Sequence, residues 1–195
     1  MSDPRMHLSQ MFTQLVAAKL SFLVSEYGYK QLDSSFPNME LSHGGGCTLQ
    51  YSNAKAKICL EVVLDFETYW ADVIIISSDD GTFVEHSVWG QSQKAAAILL
   101  SALVGWRNGS SFDRILLPPP IPSISWREKQ RRVLRRRTMI RNRLEDVVQN
   151  LAMNLAEFTS AVLRGDTTIF TEVQAFYRKQ QNVTLSSDGR RVELA

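Results

Sequence analysis

At 195 residues, with 44% hydrophobic and 22% charged residues, the chain has the size and composition of one ordinary globular domain whose core needs no covalent staples. Two cysteines, Cys47 and Cys59, exclude a disulfide framework, and their spacing fits no zinc pattern. The net charge of +2 hides an asymmetry: residues 127–143 hold eight Arg and one Lys against one Glu, which leaves 13 basic against 19 acidic residues elsewhere.

The opening MSDPRMHLSQ has no apolar signal-peptide core, and no long uncharged apolar run occurs anywhere. A reduced cytoplasmic setting with no membrane partner is therefore expected. The sequon Asn182-Val183-Thr184 is then a chance match, because glycosylation requires secretion. Asp3-Pro4 has the residues of a helix start, Asp as N-cap and Pro at the first helical position. Leu8, Met11, Phe12, Leu15, Val16, Phe22 and Leu23 follow at helical spacing and Gly28 supplies a stop, so the first element is predicted as one amphipathic helix of about 24 residues.

From Tyr29 to Trp89 the apolar period becomes two. Residues 29–33 are a short strand candidate, 34–46 a loop, and Thr48–Ser52 a strand with a turn at Asn53-Ala54. Ile58, Leu60, Val62, Leu64 and Phe66 alternate with Lys57, Cys59, Glu61, Val63 and Asp65, the pattern of a half-buried strand. Ala71–Ser77 is more apolar, Ser78-Asp79-Asp80-Gly81 is a tight turn, and Thr82–Trp89 is a further strand. Connections this short favour an antiparallel meander. Ser92 is a cap candidate for a second helix carrying Ala95, Ile98, Leu99, Ala102, Leu103 and Trp106 on one face, closed by Asn108-Gly109. The run Pro118-Pro119-Pro120 with Pro122 imposes a stiff spacer.

Ser125-Trp126-Arg127-Glu128 is a capping box, and no Gly or Pro occurs from Trp126 to Arg164. One helix of roughly 58 Å is expected there at about 1.5 Å per residue. Val133, Leu144 and Leu155 are eleven apart, as are Ile140, Leu151 and Val162, and Val147 and Phe158; such a repeat keeps one line of a nearly straight helix in contact. Val148, Ala152 and Leu163 widen the stripe beyond Ile140, whereas Arg136, Arg137 and Arg141 narrow it before. The second half should therefore pack in the core or on a partner helix, and the first should project toward water or something acidic. Gly165 ends this helix, Asp166 caps a short last one bearing Ile169, Phe170, Val173, Phe176 and Tyr177, and a polar tail follows from Gln180. The resulting expectation is an α+β chain: two helices on an antiparallel sheet of four or five strands (1–115), the spacer (116–125), a helical part (126–181) and a tail (182–195).

No catalytic, cofactor or metal site is expected. His43-Gly44-Gly45-Gly46 has the glycines of a lipase oxyanion loop, but no Gly-x-Ser-x-Gly accompanies it, since Gly90-Gln91-Ser92 lacks the closing Gly. A loose loop before a strand is the better reading, and a hydrolase ranks third among the functions. His7, His43 and His86 are scattered, and Asp65, Glu67 and Asp72 share no ligand spacing with them. In Arg164-Gly165-Asp166, an adhesion tripeptide by its letters, each residue has helix-end work to do. The basic run is different. Arg131, Arg132, Arg135, Arg136, Arg137 and Arg141 are a candidate contact set for an acidic protein surface, a second copy of the chain included, or for the phosphates of a nucleic acid.

The stretch Phe22-Leu23-Val24-Ser25-Glu26-Tyr27-Gly28-Tyr29-Lys30 resembles the opening of small, mostly uncharacterised bacterial cytoplasmic proteins, some of them immunity-like proteins of toxin systems. Leu49-Gln50-Tyr51-Ser52-Asn53 with Ile58–Asp65 is similar to their strand pair, and Leu155–Phe176 to their closing helical stretch. The proline spacer and the arginine-rich helix depart from that pattern. The resemblance implies a binding protein rather than an enzyme.

Overall fold

The computed structural model describes residues 4–32, 46–65, 70–78, 95–109 and 126–184. Within them the chain runs α1 (Pro4–Lys19), α2 (Ser21–Ser25), β1 (Lys30–Gln31), β2 (Gly46–Asn53), β3 (Ile58–Asp65), β4 (Ala71–Ser78), β5 (Ala95–Leu99), α3 (Leu100–Asn108), α4 (Trp126–Phe158), a 3-10 turn (Val162–Arg164) and α5 (Phe170–Thr184). The five strands form one antiparallel sheet in sequence order, a meander, so the chain is α+β. No described helix is long and apolar enough to cross a membrane.

Register follows from the alternation. Tyr51 pairs with Leu60, Leu60 with Ile75 and Ile75 with Ile98, while Leu49, Val62 and Val73 make the adjacent row. All seven are buried on the face that meets the core. Fully removing such a side chain from water stabilises the fold by about 1.5–3 kcal/mol. The alternation predicts a wet opposite face for β3, and here the structure differs. Cys59 and Glu61 are also buried, as are Ile74, Ile76 and Leu99, which share that face by register. Glu61 bears its burial because its carboxylate is paired, accepting a hydrogen bond from Gln50 Nε2 at 2.9 Å across the β2–β3 ladder.

Four helix boundaries also differ from expectation. The predicted single opening helix is divided at Leu20, where the Leu23 N–H bonds the Leu20 carbonyl, three residues back, at 3.0 Å; this tighter turn separates α1 from α2. Ala95–Leu99, expected as the first turns of the second helix, are strand β5, and α3 starts at Leu100. Alanine's helix preference is worth only a few tenths of a kcal/mol per residue, about 0.7 at most, less than the ladder to β4 and the burial of Ile98 and Leu99. The long helix stops at Phe158 instead of Arg164. There the Thr159 hydroxyl and N–H both go to the Leu155 carbonyl, a back-bonding arrangement that bends helices. A 3-10 turn follows. Gly165, at φ +101°, then closes it with its N–H on the Val162 carbonyl and the Asp166 N–H on the Ala161 carbonyl, a Schellman ending. The last helix runs on to Thr184, beyond the expected start of the tail.

The core is a single apolar cluster. It joins Phe12, Val16, Leu20 and Leu23 of the N-terminal helices and the inner sheet face to Leu144, Val147, Val148, Leu151, Ala152 and Leu155 of α4, with Phe170 and Val173 of α5. The expected wide stripe beyond residue 140 is thus packed against the body. The Pro-rich spacer, the Thr82–Trp89 strand, Asp3, Ser92, His43, His86 and the tail beyond Thr184 lie outside the described residues.

Candidate interaction surface on the long helix

The residues that carried the family resemblance do structural work. Asn53 Oδ1 accepts the N–H groups of Lys55 and Ala56 at 3.0 and 3.1 Å, shaping the β2–β3 turn, while its Nδ2 donates to the Tyr27 carbonyl at 2.8 Å. The Tyr29 hydroxyl donates to the Leu163 carbonyl at 3.2 Å, and the Arg164 guanidinium lies 5.4 Å from the centre of the Tyr27 ring. Gly165 sits against the turn so closely that a Cβ would be 2.8 Å from the Ala56 carbonyl oxygen. Asp166 Oδ1 accepts from Thr168 N and Oγ1 at 3.1 and 2.7 Å. Every letter of Arg164-Gly165-Asp166 is therefore engaged in joining the N-terminal turn, the hairpin tip and the corner before α5.

Candidate chemistry finds little footing. His7 is exposed on α1, and among the described residues no three His, Cys, Asp or Glu side chains converge as metal ligands would. Cys47 and Cys59 are free and buried. Burial first, and then the Glu61 charge, pushes the Cys59 thiol up to about 12 from its ordinary value of 9.0. Burial also raises Cys47, offset in part by the Thr13 hydroxyl 4.0 Å from its sulfur and by nearby Ser9. Neither is an activated nucleophile. Both thiols are expected to resist a disulfide reagent at pH 8 in the native protein and to react at once in denaturant. Rapid native labelling, followed spectrophotometrically, would contradict their burial. The sign for stability is definite: the folded state holds these protons more tightly than the unfolded chain, so the contribution is complete below about pH 9 and falls as pH rises toward 12. Tyr51, pushed up to about 12 by burial, acts in the same direction.

One polar cluster escaped the sequence reading. Extending the β4–β5 register from Ile74 and Leu99 by two residues brings Asp72 opposite Ser101. Asp72, 0% exposed, accepts the Ser101 hydroxyl at 2.5 Å on Oδ2, and on Oδ1 the N–H groups of Val73 and Ser101 at 2.8 and 3.3 Å. Ser101 is the second residue of α3, so a carboxylate on a strand caps a helix that has no capping side chain of its own. The signal available in sequence was an acid embedded in an apolar run, Ala71-Asp72-Val73-Ile74; its partner depends on a register that spacing does not disclose.

The remaining feature is α4. Its 33 residues span about 50 Å at about 1.5 Å per residue. Arg131, Arg132, Arg135, Arg136, Arg137 and Arg141 all belong to its first half. The second half has its apolar stripe in the core and exposes Asn142, Glu145, Asp146, Met153, Ala156 and Glu157. Lys19 of α1 lies 3.5 Å from Glu145 in an exposed pair worth about 0–1 kcal/mol. Charge is segregated along the helix: after Arg143 no basic residue occurs up to Phe158, and the acids there are Glu145, Asp146 and Glu157.

Comparison of the chain with known protein families, with curated proteins and with solved structures finds no match.

Proposed function

We propose that this chain is a bacterial, non-enzymatic protein-interaction protein, immunity-like in the sense of its sequence resemblance, and that the arginine-bearing half of α4 meets a partner with an acidic surface. A second copy of the chain is one such partner. The reading is supported by a single observation: α4 is unbroken from Trp126 to Phe158 and the apolar stripe of its second half is packed in the core. A helix anchored in this way carries its charges on a backbone already ordered, which lowers the entropy cost of association. Complementary charge would chiefly speed encounter and reject wrong partners. A reducing cytoplasm is the proposed setting, and the free thiols fit it.

The test compares the wild type with the double variant Arg135→Glu, Arg136→Glu in pull-downs read by mass spectrometry. Acidic proteins retained by the wild type are expected to be lost from the variant, with the melting temperature within about 2 °C, as for surface substitutions costing under about 0.5 kcal/mol. Identical retained sets would end the proposal. A nucleic-acid partner would use the same arginines and instead give retention on heparin or DNA that falls steeply with salt.

A further inference from the structure

The outward line of α4 has a property that the charge count alone does not disclose. Asn142, Asp146, Met153 and Glu157 are exposed, on the side of the helix away from the buried Leu144, Val147, Leu151 and Leu155. Positions 135 and 131 precede Asn142 by seven and eleven residues, which at about 100° per residue brings both within about 20° of its line. Read along one side of a single helix, within about 60° of Asn142, the charged residues in order are Arg127, Glu128, Arg131, Arg135, Glu145, Asp146 and Glu157, with Met153 among the last of them. It is net basic at one end, where three arginines outnumber Glu128, neutral at Asn142, and acidic with one exposed apolar side chain at the other; Met153 is 56% exposed.

Such a line is complementary to itself reversed. We propose that α4 pairs antiparallel with α4 of a second copy about a two-fold axis near residues 142 and 143. In that arrangement position 135 lies between Asp146 and Met153 of the second copy, and position 131 between Met153 and Glu157. A two-fold interface repeats every contact, so both ends of the pair bring unlike charges together. The parallel alternative sets Arg131 beside Arg131 and Glu157 beside Glu157, and is disfavoured by repulsion at both ends. The body lies behind the opposite side of the second half of α4, where Asn142, Asp146, Met153 and Glu157 are exposed. The inference rests on the proposed use of α4 as a contact surface and names one occupant for it.

Sedimentation equilibrium of the full chain tests it. The wild type is expected to be a dimer at about 100 µM in low salt, with a dissociation constant raised tenfold or more when the Debye length falls from about 10 Å at 0.1 M to about 3 Å at 1 M. Arg131→Glu with Arg135→Glu makes both halves of the line net acidic, and Asp146→Arg with Glu157→Arg makes both halves net basic. Each variant alone is expected to be monomeric, and an equimolar mixture to recover the dimer. Recovery on mixing requires the two lines to face each other, which a lost fold would not produce; the opposite direction is read from the wild type, whose parallel pairing would set like charges together. A monomeric wild type at that concentration, or a mixture that stays monomeric, overturns the inference. Retention of acidic proteins in the pull-down would then still support the wider reading of α4, so the two fail separately.

Discussion

Leu151→Ala is expected to lower the unfolding free energy by about 3 kcal/mol, seen as a fall of roughly 1.5 M in the urea midpoint at an unchanged slope of about 2 kcal/mol/M. Leu151 has no exposed surface and lies in the middle of the buried stripe of α4, with Val147, Val148 and Leu155 around it on the same helix. Truncation removes the transfer free energy of three carbon atoms and leaves a cavity, because helices fixed at several other points collapse only partly onto it. Two residues further along, Met153 is exposed, and Met153→Ala is expected to change stability by no more than about 0.5 kcal/mol. The contrast tests which side of α4 carries the fold. A larger cost at Met153 than at Leu151 would mean that the packed and outward lines have been exchanged, and the antiparallel pairing would lose its geometry as well.

That division of α4 was legible because burial leaves a mark in composition. Leu144, Val147, Leu151 and Leu155 could be placed on one stripe without knowing their neighbours, since any amphipathic helix must hide such a stripe somewhere. The meander was legible for a similar reason: Ile58 to Leu64 alternate, and Asn53 supplies turn chemistry at the hairpin. The failures have a common physical origin. Ala95, Ala96 and Ala97 have a local preference for helix, yet they complete a sheet edge, because pairing with Ser78, Ser77 and Ile76 outweighs a propensity of tenths of a kcal/mol. Thr159 gave no warning that its hydroxyl would take up the Leu155 carbonyl and turn the chain six residues before Gly165. Glu61 was assigned to a wet face because a carboxylate usually is; its pairing with Gln50 depends on the β2–β3 register. The arginines are a different case. Composition locates them on one half of one helix, and only the helical register sets Arg131 and Arg135 in line with Asp146, Met153 and Glu157.

Asp72→Ala is expected to cost about 3–5 kcal/mol, in the range for removing one member of a buried charged arrangement. The gain from no longer burying a carboxylate is real, but it is smaller than what is left behind. Val73 N–H, Ser101 N–H and the Ser101 hydroxyl all point at the missing group from buried positions, and each unpaired donor costs about 1–3 kcal/mol. The first turn of α3 also loses the negative charge that favours a helix N-terminus. Asp72→Asn should cost less than the alanine variant, because its amide oxygen can still accept from the two backbone donors while its NH2 group faces a Ser101 oxygen able to accept. Ser101→Ala should cost about 1.5–3 kcal/mol, the worth of a hydrogen bond to a charged acceptor. Once Asp72 is alanine, deleting the Ser101 hydroxyl removes an orphaned group, so the double variant should be less destabilised than the sum of the two singles. Additive costs, measured by urea unfolding of all four proteins, would mean that the carboxylate and the hydroxyl do not act on each other.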